Sequence, residues 1–253
     1  MELNGKTVLV TGGSRGIGAA IVRKSAEAGA DVCINYRSSG EEAENLAEMV
    51  RKLGRKATTV QADVSDRNGV DRLFESFFSQ FDRLDVLINN AGISYHKHFL
   101  ELTDEDYDSV MNTNLRSCFL CSRAAAAHMA ANGHGKIINN SSMLELVARP
   151  NLAVYAATKG AMGALTRSLA LDLASKNIQV NNVCPGIIAT EILGDKMKTD
   201  HAFRDSVLAR IPAGRMGDAD EVAELFVFLA SERANYITGA SFVIDGGIAC
   251  SRI

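Results

Sequence analysis

Apolar residues along this chain fall into two alternating patterns. The run at residues 7–10 is short and continuously apolar, as a strand buried on both faces of a parallel sheet should be, and the segments at 31–36, 57–61 and 85–88 read as further strands. Between them the spacing turns helical at 19–28, at 41–53, where Gly54 is a favoured residue just past a helix end, and at 70–81, where Leu73, Phe74, Phe77 and Phe78 recur at helical spacing. The second half continues in kind: helical spacing at 115–129, a strand at 136–139, a helix from 153 to about 176, a strand at 179–183, a helix at 221–230 and a last strand at 241–244. Strands alternating with helices predict an α/β fold, a doubly wound parallel sheet with helices on both faces.

Composition narrows the class without choosing a function. At 253 residues and 47% hydrophobic, the chain can bury the core of one α/β domain, and no break in composition marks a second. Net charge is −3 with acids and bases interspersed, which argues against nucleic-acid binding and against a polybasic membrane patch. Cys33, Cys118, Cys121, Cys184 and Cys250 are odd in number and scattered, the pattern of reduced thiols. The start, MELNGKTVLV, lacks a signal-peptide pattern and no apolar run is long enough to span a bilayer, so a soluble cytoplasmic protein is expected.

Chemistry enters at the first turn, where Gly12, Gly13, Ser14, Arg15, Gly16, Ile17 and Gly18 join the first strand to the first helix. Glycines there let a ligand approach the backbone, and the free N–H groups of the new helix attract phosphate. This is the setting of a dinucleotide site. The end of the second strand then bears on which dinucleotide, because an acid there would select a free ribose 2′-hydroxyl. This chain instead has Tyr36, Arg37, Ser38 and Ser39, with Arg15 in the glycine loop. Two guanidiniums beside hydroxyls suit a 2′-phosphate, which arginine binds through parallel hydrogen bonds. NADP(H) is therefore expected, with NAD(H) as the weaker alternative. Asp63 and Val64, at the carboxyl end of the third strand, are candidates to hold adenine; Asn90, Ala91 and Gly92, after the fourth, are candidates to line the groove.

A second concentration of chemistry lies between Ser142 and Lys159. If a helix begins near Ala153, Tyr155 and Lys159 stand one turn apart on one face. A phenol is a poor proton donor or acceptor at neutral pH, but an ammonium beside it favours the phenolate and makes general acid–base work possible. Ser142, just beyond the strand at 136–139, brings a hydroxyl to the rim of the sheet, where it can hydrogen-bond a substrate oxygen. Taken alone, the tyrosine and lysine also suit an ordinary amphipathic face, and Ser142 an ordinary turn.

Over nearly its whole length the chain resembles the short-chain dehydrogenase/reductase family. The matching motifs are T-G-x-x-x-G-x-G at 11–18, N-N-A-G at 89–92, Asn114 before Leu115, Ser142, Tyr155-x-x-x-Lys159 and Pro185-Gly186. The resemblance implies a single Rossmann-type domain of seven strands over residues 1–253, with a cofactor half at about 1–135 and a catalytic and substrate half at about 136–253. It implies Tyr155 as general acid in carbonyl reduction and general base in alcohol oxidation, and Lys159 as partner of the nicotinamide ribose and of the tyrosine. Ser142 would polarise the carbonyl, and Asn114 would hold a water that links Lys159 to solvent. Pro185 and Gly186 would meet the nicotinamide, with Ile188 and Thr190 near its carboxamide. The helix of Tyr155, whose Ala156, Gly160, Ala161, Gly163 and Ala164 leave room for another helix, would pack in the interface of a homotetramer.

Substrate identity is the least determined part. Ser94, His96, Leu144, Glu145 and Asn151 are the substrate-side candidates. Residues 191–210 are polar and weakly periodic, which suits a substrate lid spanning about 187–212 or a pair of surface helices. The tail at 248–253 is a candidate to reach a neighbouring subunit. Tyr95-His96-Lys97-His98 lacks a carboxylate or cysteine partner at ligand spacing, so no metal is expected. Cys118 and Cys121, inside a helical pattern, are expected as packed side chains and not a redox pair. The NYRSSGEEAE segment and Ser142-Met143-Leu144-Glu145 resemble bacterial glucose 1-dehydrogenases, and the 3-oxoacyl-carrier-protein reductases are also similar. In the latter case Lys176 could meet an acidic acyl carrier protein, although Gly133 stands where a second base would be. Glu145 and Arg149 would flank the pocket, either to hydrogen-bond a polyol or to face water. The expected substrate is a small carbonyl or alcohol, a 3-oxoacyl thioester or other small ketone, with a sugar as the alternative. Some proteins of such a fold bind NADP without turnover; retention of Asn114, Ser142, Tyr155 and Lys159 favours an enzyme.

Overall fold

A computed structural model describes residues 1–190 and 199–251. Its strands are β1 (Thr7–Val10), β2 (Asp31–Tyr36), β3 (Ala57–Gln61), β4 (Val86–Asn89), β5 (Gly135–Asn140), β6 (Ile178–Pro185), the short β7 (Ile188–Ala189) and β8 (Gly217–Asp218), and β9 (Ser241–Ile244). β7 pairs only with β8; the other seven form one parallel sheet in the order β3-β2-β1-β4-β5-β6-β9. The order reverses between β1 and β4, so a crevice opens at the carboxyl ends of those strands, the place where sheets of this kind bind ligands.

The continuous apolarity of the strands follows from helices on both sides. The helices are α1 (Gly16–Glu27), α2 (Gly40–Lys52), α3 (Arg67–Phe78), α4 (Asp104–Met111), α5 (Ser117–Asn132), α6 (Ala153–Leu173), α7 (His201–Leu208) and α8 (Ala219–Ala230). Val8, Val10, Val32, Ile34, Ile88 and Val183 pack under α1, α2 and α8. The intervening Leu9, Cys33, Leu87, Ile137 and Val180 pack under α3, α5 and α6. Phe77 is fully buried and meets Phe78 edge-on, with ring centroids 5.0 Å apart, so the aromatic positions of α3 belong to the core. A third apolar cluster joins Met143, Leu144 and Leu152 to Val207, Ile211 and Ile248, beside the catalytic half of the sheet.

Several boundaries differ from the sequence pattern for identifiable reasons. α3 starts at Arg67 and not at 70, because Asp66 caps it by accepting a hydrogen bond from the Gly69 N–H. α5 starts at Ser117 and not at 115, because residues Asn112–Arg116 form a π-helical turn; it ends at Gly133, whose φ of 73° is the left-handed conformation that closes helices. α8 starts at Ala219, where Asp218 and Glu221 make a capping box. β4 excludes Asp85, which instead accepts hydrogen bonds from the Thr7 N–H and from Arg83 at the amino edge of the sheet. α4 has no apolar stripe strong enough to announce it, and rests on the Thr103–Asp106 capping box. Of the expected lid, residues 191–198 lie outside the described residues; its later part includes α7, whose Val207 is buried in the third cluster. The tail turns at Ile248–Cys250 with Ile248 in the same cluster, and residues 252–253 lie outside the described residues. No helix among the described residues is long and apolar enough to cross a membrane.

Candidate active site

Four strand ends are tied together at the crevice. The Thr11 hydroxyl accepts from the Asn90 and Ala91 N–H groups and donates to the Ile88 carbonyl. Asn90 Nδ2 donates to the Thr11 and Gly12 carbonyls, and Asn140 Nδ2 donates to Asn90 Oδ1. The Gly12 N–H reaches Asn35 Oδ1, which brings β2 into the same network. α1 begins so close to this floor that a Cβ on Gly18 would lie 2.4 Å from the Gly12 oxygen. No side chain caps the start of α1, so the backbone N–H groups that follow Ser14, Arg15, Gly16 and Ile17 remain available to an anion. Thr190 comes over the same loop: its Cγ2 is 3.7 Å from the position a Cβ on Gly16 would take. The residues present thus fit the pyrophosphate of a dinucleotide.

At the end of β2, the Tyr36 ring packs over Gly40, and Arg37 and Ser38 are exposed. Among the described residues neither Arg15 nor Arg37 forms an ion pair. Asp63 accepts from both the amide and the hydroxyl of Ser65. Burial pushes its carboxyl up, but those bonds and the charge of Arg37 bring it below the usual carboxylate range. Val64 beside it is buried.

The catalytic candidates converge at the end of β5. Ser142 heads the turn Met143–Glu145, and its Oγ accepts from the Leu144 N–H at 3.1 Å, which leaves its own O–H to donate elsewhere. Tyr155 lies in the first turn of α6, packed against the Met143–Leu144 cluster. Lys159, one turn on, is buried with its Nζ 5.5 Å from the Tyr155 ring centroid, donating to the Asn140 carbonyl at 2.7 Å. Asn114 sits inside the π-helical turn, a feature frequent at functional sites. Its amide bonds both the N–H and the carbonyl of Ile93 and donates to Thr158, whose hydroxyl reaches the Tyr155 carbonyl. Gly92 lies against it: a Cβ there would sit 3.3 Å from Asn114 Oδ1. At the end of β6, Pro185 leads into Gly186, where a Cβ would lie 2.6 Å from Asp245, and Ile188 is buried in β7.

The chain matches the family model described as enoyl-(acyl carrier protein) reductase over residues 12–249. It is 39% identical over 246 residues to a 3-oxoacyl-[acyl-carrier-protein] reductase of Staphylococcus aureus, covering 96% of this chain and 98% of that one. It is 38% identical over 251 residues to glucose 1-dehydrogenase 2 of Bacillus subtilis, covering 98% and 96%. The chain belongs to the short-chain dehydrogenase/reductase family. Among solved structures, a gluconate 5-dehydrogenase of Burkholderia cenocepacia in complex with NADP and tartrate superposes with a TM-score of 0.92 at 38% identity, covering 99% of this chain and 98% of that one.

Within this short-chain dehydrogenase/reductase the substrate-side candidates separate. Leu144 is buried in the apolar cluster beside Tyr155. Ser94 and His96 are exposed on the loop after β4, and Asn151 adopts a φ of 64° while its carbonyl accepts from the Lys97 N–H. Glu145 requires a correction. The residue is half-buried, but its carboxylate does not stand free for a polyol, because it accepts from Ser141, Asn182, Cys184 and Ser241. Arg149 lies close enough to Arg210 to feel its like charge. His98 caps the turn that follows it by accepting from the Leu100 N–H, and Lys97 pairs with Asp106; no metal-binding cluster occurs among the described residues. Cys118 and Cys121 are buried, and burial pushes the Cys118 thiol up to about 11, consistent with packed, unreactive side chains. Asn140, which holds Lys159 and Asn90, is a site residue the motifs missed; its only signal in the sequence is its place just before Ser141.

Proposed function

We propose that this protein is an NADP(H)-dependent carbonyl reductase and alcohol dehydrogenase, with a 3-oxoacyl thioester or similar small ketone as substrate. The observation that carries the reading is the pairing of Lys159 with Tyr155 beside a serine whose O–H is free to donate, at the end of the strand next to the glycine cradle. When bound, the nicotinamide supplies or accepts the hydride. Gly12, Ser14, Arg15, Gly16, Ile17 and Gly18 would hold its pyrophosphate, Tyr36, Arg37 and Ser38 the 2′-phosphate, and Pro185, Gly186, Ile188 and Thr190 the nicotinamide side.

The chain's own residues then divide the work. Ser142 donates a hydrogen bond to the carbonyl oxygen and fixes its direction. Tyr155 delivers the proton to that oxygen in reduction and removes it in oxidation. Lys159, one N–H committed to Asn140, keeps two for the cofactor ribose and a charge that stabilises a negative phenolic oxygen. Asn114 holds α6 to the β4 loop through Thr158 and Ile93. The wall beside Tyr155 is apolar, from Met143, Leu144, Leu152 and Ile211, which favours an acyl or alkyl ketone; the sugar reading loses its acid with Glu145 turned inward. We further take the protein to assemble as a homotetramer through α5 and α6.

The test is NADPH oxidation with acetoacetyl-coenzyme A, run beside NADH and beside NADP+ reduction with glucose. Turnover of the thioester with NADPH is expected. Tyr155→Phe should bind NADPH within about 2-fold of wild type and lose turnover by about 10²–10⁴-fold; unchanged turnover would remove Tyr155 from the mechanism, and glucose oxidation alone would replace the ketone by a sugar.

A further inference from the structure

A ladder of polar side chains crosses the sheet beneath the candidate active site. Asn89 of β4, Asn139 of β5, Asn182 of β6 and Ser241 of β9 stand opposite one another in the strand registers. Asn139 and Asn182 have no exposed surface. Asn89 Nδ2 donates to Asn139 Oδ1 at 2.8 Å, Asn139 Nδ2 to Asn182 Oδ1 at 3.1 Å, and Asn182 Nδ2 to Glu145 Oε2 at 2.9 Å. From the other end, Ser241 donates to Glu145 Oε1 at 2.6 Å, and Ser141 donates to Oε2 at 2.7 Å. A carboxylate only accepts, so Asn182 must present its NH₂ to Glu145, its oxygen to Asn139, and so on down the ladder. One acid therefore orients amides on three strands.

The same acid is held in a space that α6 vacates. A Cβ on Gly163 would lie 2.4 Å from Glu145 Oε1 and 2.7 Å from Cδ. Gly163 follows Lys159 by four residues and Tyr155 by eight, on the same stripe of α6. A free carboxylate could swing out of the way of a methyl group; this one would have to leave donors from β6, β9 and the end of β5 unpaired in the interior. Its backbone reaches the chemistry, for the Glu145 N–H donates to the Ser142 carbonyl at 2.9 Å and closes the turn that Ser142 heads.

We infer that Glu145 is a positioning residue for Ser142: anchored by the ladder and seated on Gly163, it fixes the turn that aims the serine hydroxyl between the sheet and the Tyr155–Lys159 face. The inference rests on the role proposed for Ser142, and the test separates the two. Ser142→Ala should keep NADPH affinity and lose turnover by about 10-fold or more; full turnover in that variant would remove the reading on which Glu145 depends. Glu145→Gln keeps the shape but turns one acceptor into a donor facing donors. Its kcat should fall by about 10-fold or more with KM and NADPH affinity within about 2-fold, and the amides of residues 144–147 should exchange with solvent about 10-fold faster. In the Ser142→Ala background, Glu145→Gln should cause no further loss of kcat. Equal losses in both backgrounds would overturn the inference, since Glu145 would then act on the fold at large. Should Glu145→Gln not accumulate as folded protein, Gly163→Ala gives the same comparison, displacing the carboxylate while leaving every hydrogen-bonding side chain chemically unchanged. Wild-type exchange at 144–147 in Gly163→Ala, a readout that needs no substrate, would equally overturn it.

Discussion

Lys136, the second residue of β5, is 8% exposed, and its ammonium has no hydrogen-bond partner among the described residues. Burial, and then the nearby charge of Lys6, push its pKa down to about 8, against an opposing pull from Glu232. The unfolded chain holds this proton more tightly than the folded one, so stability on this account rises with pH between about 8 and 10.5. Lys136→Met should therefore be more stable than wild type at pH 7, by up to about 3 kcal/mol, and the advantage should shrink towards zero as pH approaches 10.5. Urea melts of both proteins across that range check it; a difference independent of pH would show that the charge is not the cause. A second residue-scale expectation concerns Arg37, which has no ion-pair partner among the described residues. Arg37→Asp should weaken NADPH binding by about 10- to 100-fold and NADH binding far less, as read by cofactor fluorescence; equal losses would show that Arg37 does not meet the 2′-phosphate. At this scale the sequence was informative where residues that meet lie one helical turn apart, as with Tyr155 and Lys159, which α6 brings together. The hydrogen bonds of Glu145 were not legible because its partners, Asn182 and Ser241, lie 37 and 96 residues away and meet it only through strand register.

Elements were legible in proportion to how strongly their burial marks the sequence. The central strands, covered on both faces, are marked by short apolar runs, and β1 and β2, like the partly buried edge strands β3 and β9, have the predicted limits. Helix starts were less legible because polar caps set them: Asp66 at α3, Thr103 at α4 and Asp218 at α8 lie outside the apolar periodicity. The π-helical turn at Asn112–Arg116 has no signature in hydrophobic spacing at all, since it comes from one extra residue in the turn that buries Asn114. That turn connects elements to function. It joins α4 to α5 while Asn114 bonds the Ile93 backbone and Thr158 of α6, so the loop after β4 and the Tyr155 helix are held by one side chain. α7 belongs with it in consequence, because its Val207 closes the apolar cluster against which Tyr155 packs.

For the whole molecule, α5 and α6 leave an apolar face that the sheet does not cover. Phe119 is 43% exposed and Leu171 82%, and Met111, Leu115, Phe119, Ala161 and Leu165, with Asn112 and Arg116 beside them, line a shallow hollow between α4, the π-helical turn and α6. A Cβ on Gly160 would meet nothing within 4 Å, so the surface of α6 is flat enough for another helix to approach closely there. Contiguous apolar surface of this kind marks an interface, and a two-fold axis across α5 and α6 would bury it against its own copy. The proposed tetramer makes this face answerable to experiment. Sedimentation velocity should give wild type as a tetramer, and Ala161→Arg, which sets an unpaired charge in the hollow, should shift it to smaller species at the same concentration. Glu48→Arg, exposed on α2 across the sheet, should leave the assembly unchanged. A monomeric wild type, or an Ala161→Arg variant still wholly tetrameric, would mean that this face is not where copies meet. If the smaller species binds NADPH as well as wild type but turns over more slowly, the packing of α6 between subunits also steadies Tyr155 and Lys159, which share that helix.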